Sequence, residues 1–218
     1  MPRKSRSTHA SLEPAAQIFR IDDGIAALQS GELVVYPTET FYALGADPFS
    51  PTALKRLFDV KARDAERPVG LIAADTSMAF SVASEVPINA RRLADAFWPG
   101  PLTLVVPARD DIAPELAGTD GIAVRVSPNP VARALAAGLG HPITATSANL
   151  SGQPPASTLA EARRAFGEKV KVYLEGGKMM AAAPSTVVAI AAGDWKMIRV
   201  GAISEDQIAA VLAGEALK

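Results

Sequence analysis

Short apolar runs cut off by glycine or proline alternate with segments at helical spacing along most of this chain. That alternation narrows the fold more than any other property. The run Leu33-Val34-Val35-Tyr36 lies between Gly31 and Pro37 and reads as a buried strand. Upstream, Asp22 is placed to cap a short helix through Ala26, Ala27 and Leu28 that ends near Gly31. Downstream, Ser50 is an N-cap with Pro51 at the first helical position, and Leu54, Leu57 and Phe58 form an apolar face. The pattern continues with a strand over 69–73 and a helix from Asp75 or Thr76. An amphipathic helix over 87–98 follows, stopped by Pro99-Gly100-Pro101. Strands are expected over 102–106 and 122–126, a helix over 128–137 ending at Gly138, and a strand over 143–145 before a polar turn at 146–152. A helix over 159–166, strands over 170–174, 186–190 and 195–200, and a capped helix over 204–212 complete the chain. Helices alternate with strands early and strands cluster late, which predicts an α/β fold: a twisted mixed parallel/antiparallel sheet flanked by helices.

With 218 residues, 49% hydrophobic and 21% charged, the chain is expected to form one domain over 18–218 behind a flexible basic tail, 1–17, that carries Arg3, Lys4 and Arg6. It has no cysteine, which excludes disulfides, thiolate metal sites and cysteine nucleophiles. No run approaches the roughly 20 apolar residues of a membrane span, and the N-terminus lacks a signal peptide's apolar core. No membrane association and a cytoplasmic location are therefore expected. A net charge of -1 does not advertise a nucleic-acid binder, although a neutral total can conceal a basic cleft.

Several chemistries fail on residue type. His9 and His141 have no ligand partners at metal spacing, and no Gly-x-Ser-x-Gly elbow accompanies His141. Neither a dinucleotide Gly-x-Gly-x-x-Gly nor a Walker lysine loop is present. What remains is a set of hydroxyl, amide and guanidinium groups beside expected strand ends: Thr38, Thr40, Lys61, Arg63, Arg125, Ser147, Asn149, Ser185, Thr186 and Arg199. Each has a plainer reading, since Lys61 and Arg63 suit a helix C-terminus and residues 146–149 suit a self-bonded turn. Arg125 is the exception. Between Val124 and Val126 it belongs near the core, where a guanidinium needs an anion. Glu39, with no acidic partner in the sequence, reads as a solvated loop residue, and Asp110, Asp111 and Glu115 as a surface run. Cations and donors without paired carboxylates favour chemistry on phosphates.

The run Tyr36-Pro37-Thr38-Glu39-Thr40-Phe41-Tyr42-Ala43-Leu44-Gly45 resembles the opening motif of the YrdC-type threonylcarbamoyl-AMP synthases. Lys61-Ala62-Arg63 is similar to that family's Lys-x-Arg, and residues 97–103 to its Trp-Pro-Gly-Pro-Leu-Thr segment. Residues 122–126 resemble its Ala-Val-Arg strand, 147–152 its Ser-Ala-Asn-x-Ser-Gly loop, 185–188 its Ser-Thr-Val strand and 198–201 its Arg-x-Gly close. The resemblance implies a sheet with a deep concave cavity, residues 31–67 forming one wall. There L-threonine and bicarbonate give a carbamate that attacks the α-phosphate of ATP. It assigns Lys61 and Arg63 to catalysis, and Thr40, Arg125, Ser147 and Ser185 to the substrate. Lys61, Arg63, Arg67, Asn149, Ser157 and Arg199 fall to the nucleotide. It implies Mg2+ carried with ATP and no protein-built metal site, and delivery of the product to tRNA-modification partner proteins. The alternative within the superfamily is a module that binds tRNA or double-stranded RNA without adenylate chemistry. Relative to the family pattern, Ala43 and Ala62 stand where glycine is usual and Arg67 where asparagine is frequent. Longer members have His near Ile72, Thr near Gly121 and a second domain. These positions are expected around the threonine and ATP pockets.

Overall fold

A computed structural model describes residues 20–62, 68–180, 183–191 and 194–215. The elements follow the alternation with local differences. Helix α1 (Ile21–Gln29) starts at Arg20, whose N–H donates to the Asp23 carboxylate at 2.7 Å, two residues before the expected Asp22 cap. Asp22 and Asp23 then lie in the first turn, where carboxylates complement the helix dipole. Strand β1 (Val34–Pro37) is followed by β2 (Tyr42–Gly45), a strand not anticipated. Every residue of β2 is buried, so it has none of the alternation that marks a half-exposed strand. Helix α2 (Pro51–Lys61) has Ser50 as its cap, as expected. Next come β3 (Gly70–Ala73), α3 (Thr76–Phe80), α4 (Ile88–Phe97), β4 (Leu102–Val106), β5 (Ala117–Gly118) and β6 (Gly121–Val126).

Helix α5 (Pro130–Leu139) runs through Gly138 and ends at Gly140, whose φ is +84°. Gly138 is there for packing. A Cβ on it would lie 2.2 Å from the Ile25 side chain of α1, so the glycine permits the close approach of the two helices. Strand β7 (Ile143–Ser147) takes in Thr146 and Ser147, which were expected in a turn. The chain closes with α6 (Leu159–Phe166), β8 (Val172–Tyr173), β9 (Thr186–Ala191), β10 (Asp194–Arg199) and α7 (Glu205–Ala213).

The strands form a ten-stranded sheet in the order β10-β9-β4-β6-β3-β7-β2-β1-β8, with β5 paired to the start of β6. Pairs β1/β8, β3/β6 and β4/β9 are parallel and the others antiparallel, which is the mixed sheet expected. Side-chain alternation assigns the two faces. Leu102, Leu104, Val106, Ile122, Val124 and Val126 point to a large core that also takes buried residues from α2, α3, α4, α6 and α7. On the other face a smaller core joins Tyr36, Ile72 and Ile143 to Leu28 of α1 and Leu135 of α5. Each of these fully buried side chains contributes on the order of 2 kcal/mol. Helices α1 and α5 contact β8, β1, β7 and β3. The side chains of β4, β6 and β9 on that face line a cavity instead, and this division of one sheet face positions the site.

Candidate active site

The cavity has a volume of about 640 Å3. Thr38 and Thr40 reach it from the β1–β2 hairpin, Thr103 and Val105 from β4, Arg125 from β6, Ser147 from β7, and Ser185 and Arg199 from the β9–β10 side. Thr40, Arg125, Ser147, Ser185 and Arg199, expected at the site from sequence, thus share one cavity. The hairpin tip is fixed by Thr38. Its Oγ1 accepts from the N–H groups of Thr40 and Phe41, both at 3.2 Å, and donates to the Phe41 carbonyl at 2.6 Å.

Arg125 has the anion its burial demands. It pairs through Nη1 with Glu39 Oε1, and the two side chains are only 9% and 15% exposed. Ser127, two residues along the same side of the chain as Arg125, donates to the other carboxylate oxygen. Glu39 is therefore not the solvated loop residue expected. The hairpin brings it to Arg125 although β7 and β3 separate β2 from β6. Nearby, burial pushes the Tyr36 phenol well above its usual pKa, with Arg125 pulling it down and Glu39 raising it. The phenol donates to the Thr144 carbonyl at 2.9 Å.

Arg199 is held differently. Its Nε and Nη2 donate to the Ser185 carbonyl at 3.1 and 2.9 Å, and Nη2 also reaches Ser185 Oγ at 3.1 Å. Ser185 Oγ lies 3.0 Å from Thr103 Oγ1. Arg199 is exposed as a whole, yet partial burial of its guanidinium, then the charge of Arg125, draws its pKa below the usual value. Thr103 and Ser127 were not singled out from sequence. The available signal was period two: Thr103 and Val105 face the cavity between core residues, and Ser127 follows Arg125 at i+2.

Lys61 ends α2 with 2% exposure, so it is not merely a dipole-offsetting surface cation. Its Nζ donates to the Ser147 and Asn149 carbonyls at 2.6 and 2.7 Å and to Asn149 Oδ1 at 3.2 Å. Asn149 also receives the Ser147 hydroxyl and gives its amide to the Leu150 and Gln153 carbonyls. Lys61 thereby organises the chain after β7. Asn149 and Ser157 line a second recess of about 570 Å3, with Pro155 bordering both spaces. Ser157 and Thr158 donate to the Glu161 carboxylate, and the Ser157 bonds above all hold that carboxyl below its usual pKa. Arg63 and Arg67 lie outside the described residues.

Of the positions that differ from the family pattern, Ala43 and Gly121 line the cavity. Ile72 does not, being fully buried in the smaller core, which corrects the expectation that it borders the ligand pockets. At Gly121 φ is +114° and a Cβ would meet the Val106 carbonyl oxygen at 2.1 Å, so this backbone does not admit threonine. Ala62 is a left-handed helix cap, φ 46°, at a cost of about 1 kcal/mol that a glycine would avoid. Among the described residues no group of three or more His, Asp and Glu is placed to hold a metal, and no helix is long and apolar enough to cross a membrane.

The family model described as telomere recombination, for Sua5, YciO and YrdC, matches residues 26–201. A threonylcarbamoyl-AMP synthase of Chromohalobacter salexigens is 41% identical over 177 residues, covering 80% of this chain and 95% of that protein. One from Nitrosococcus oceani is 38% identical over 170 residues, covering 78% and 92%. Among solved structures, P. abyssi Sua5 complexed with L-threonine matches at a TM-score of 0.83 and 33% identity over 88% of this chain, which spans 56% of that longer protein. E. coli YciO matches at a TM-score of 0.76 and 26% identity, covering 86% of this chain and 92% of that one. The family model spans most of the chain and the two synthases cover more than three quarters of it at 38–41% identity, so the chain belongs to the Sua5–YciO–YrdC family.

Proposed function

We propose that this chain is a threonylcarbamoyl-AMP synthase. The amine of L-threonine takes up bicarbonate with loss of water to give a carbamate, whose oxygen attacks the α-phosphate of ATP. Threonylcarbamoyl-AMP forms and pyrophosphate leaves. The observation that carries this reading is the convergence of two guanidinium groups with threonine and serine hydroxyls on one cavity, in a chain nearly spanning relatives that bear that activity's name. In this reading Arg125 receives the threonine carboxylate, with Thr40, Ser147 and Ser185 orienting its other polar groups. Arg199, Asn149 and Ser157 face the nucleotide, joined by Arg63 and Arg67. Lys61 and Arg63 stabilise charge developing on the α-phosphate, for which Lys61 exchanges one of its carbonyl partners for a phosphate oxygen. Mg2+ arrives with the ATP phosphates and offsets their charge. The product passes to partner proteins that modify tRNA, and the enzyme works in the cytoplasm.

The test is pyrophosphate release by the purified chain with ATP, magnesium and bicarbonate, with and without L-threonine. Release that depends on both threonine and bicarbonate is expected. Folded protein with no threonine-dependent release sinks the assignment. Tight RNA binding that weakens steeply with salt would then favour the nucleic-acid module.

A further inference from the structure

Among the described residues, Glu39 is the one carboxylate paired with an arginine of the cavity wall. It does not itself line the cavity. It stands behind Arg125, at the tip of a hairpin locked by the Thr38 hydroxyl, and its second oxygen is taken by Ser127. Ser127 Oγ in turn accepts from the Asn129 N–H at 3.1 Å, so both carboxylate oxygens are tied to the 125–129 stretch at the end of β6. Arg125 spends only Nη1 on this contact, and its other N–H groups have no protein acceptor among the described residues. Stability alone is a weak reason for such a pair, because removing two charges from water costs nearly what their attraction returns. A guanidinium on a long stem otherwise samples several rotamers, and fixing it beforehand removes that cost from ligand binding. We propose that Glu39 is a positioning residue: from behind the wall it holds Arg125 by Nη1, so that the remaining guanidinium N–H groups meet a ligand carboxylate in one orientation. This rests on the reading that Arg125 receives the threonine carboxylate.

Steady-state pyrophosphate release and calorimetric binding of L-threonine and of L-threonine methyl ester, which lacks the carboxylate, separate position from charge. For Glu39→Ala the threonine KM should rise about tenfold or more, with kcat and the ATP KM within about twofold of the parent. Glu39→Gln keeps an acceptor oxygen at the same reach and should stay within about threefold of the parent on every constant. The parent should prefer threonine to its ester by about tenfold or more, and Glu39→Ala should lose most of that preference. Equal rises in the threonine and ATP KM, a Gln variant as weak as the Ala variant, or a Gln variant that binds threonine more tightly than the parent each overturn the proposal. The last of these would make Glu39 a competitor of the substrate carboxylate. If Glu39→Ala does not fold, Ser127→Ala keeps the ion pair but releases one hold on Glu39. The threonine KM should then rise with the ATP KM fixed, and no change overturns the proposal. A parent protein that releases no pyrophosphate yet discriminates threonine from the ester refutes the synthase while the Glu39 inference stands. One that binds neither refutes both.

Discussion

Two arginines face the same cavity and are held in opposite ways. Arg125 is buried, is tied to a carboxylate by one nitrogen and leaves its other donors for a ligand. Arg199 is an exposed residue with three bonds to neutral oxygens of Ser185 and no carboxylate beside it among the described residues. The first arrangement presents shape with little net charge, since Glu39 offsets the cation. The second leaves its charge uncompensated, and the pKa of Arg199 falls through partial burial and then repulsion from Arg125. A small carboxylate needs orientation and a polyphosphate needs positive potential, so under the proposed function the contrast divides the cavity into a threonine end and a nucleotide end.

Removing each cation tests that division. Arg125→Ala leaves Glu39 as a largely buried charge with its cation gone and only Ser127 beside it, and should lower stability by about 3 kcal/mol and threonine kcat/KM by about 100-fold or more. Chemical denaturation and pyrophosphate kinetics read the two effects. A stability loss no larger than that of the Arg199 variant would show that Glu39 is not stranded, and the contrast would collapse. Arg199→Ala should change stability by about 0.5 kcal/mol or less, because its bonds go to groups water can serve. Its ATP kcat/KM should fall about tenfold with the threonine KM nearly constant. Raising the ionic strength should shrink the Arg199 effect more than the Arg125 effect, since the more exposed charge is screened more than the buried pair. The same salt response in both variants would remove the distinction.

How far this division can be read in the sequence depends on whether a signal is local. The α/β alternation, the Ser50 cap and the burial of Arg125 all follow from neighbouring residues, and the structure has them. Arg125's partner does not follow, because Glu39 is 86 positions away and reaches it only through a hairpin folded past two intervening strands. With β2 buried on both faces, no alternation revealed that hairpin, and Glu39 looked like a loop residue in water. Gly138 misled for a similar reason: a helix-ending residue type was present for a contact with α1 that no local pattern encodes. The resemblance placed the site residues in chain order but was silent on which donors were already engaged. Only the geometry shows Lys61 occupied by carbonyls and Arg125 half occupied by Glu39.

The smallest expected effect lies at Thr103, and it asks how much the neutral arm depends on its own scaffold. Thr103 Oγ1 touches Ser185 Oγ, which also receives Arg199 Nη2, so the threonine acts on the arginine only through the serine. Thr103→Val replaces the hydroxyl with a methyl of nearly the same volume and leaves the β4 backbone unchanged. Ser185 keeps Arg199 as a partner and sits at the cavity, where water can fill the lost position, so the penalty should stay at or below about 1 kcal/mol. Arg199 retains two bonds to the Ser185 carbonyl, which the substitution does not touch. Catalytic constants should therefore shift about threefold or less, for threonine and ATP alike, because Ser185 stands between the two ends. A selective rise in the ATP KM approaching that of Arg199→Ala would mean that the serine hydroxyl, not the carbonyl, aims the guanidinium. The uncompensated arm would then be as preorganised as the arm held by Glu39, and the two arginines would differ in charge alone.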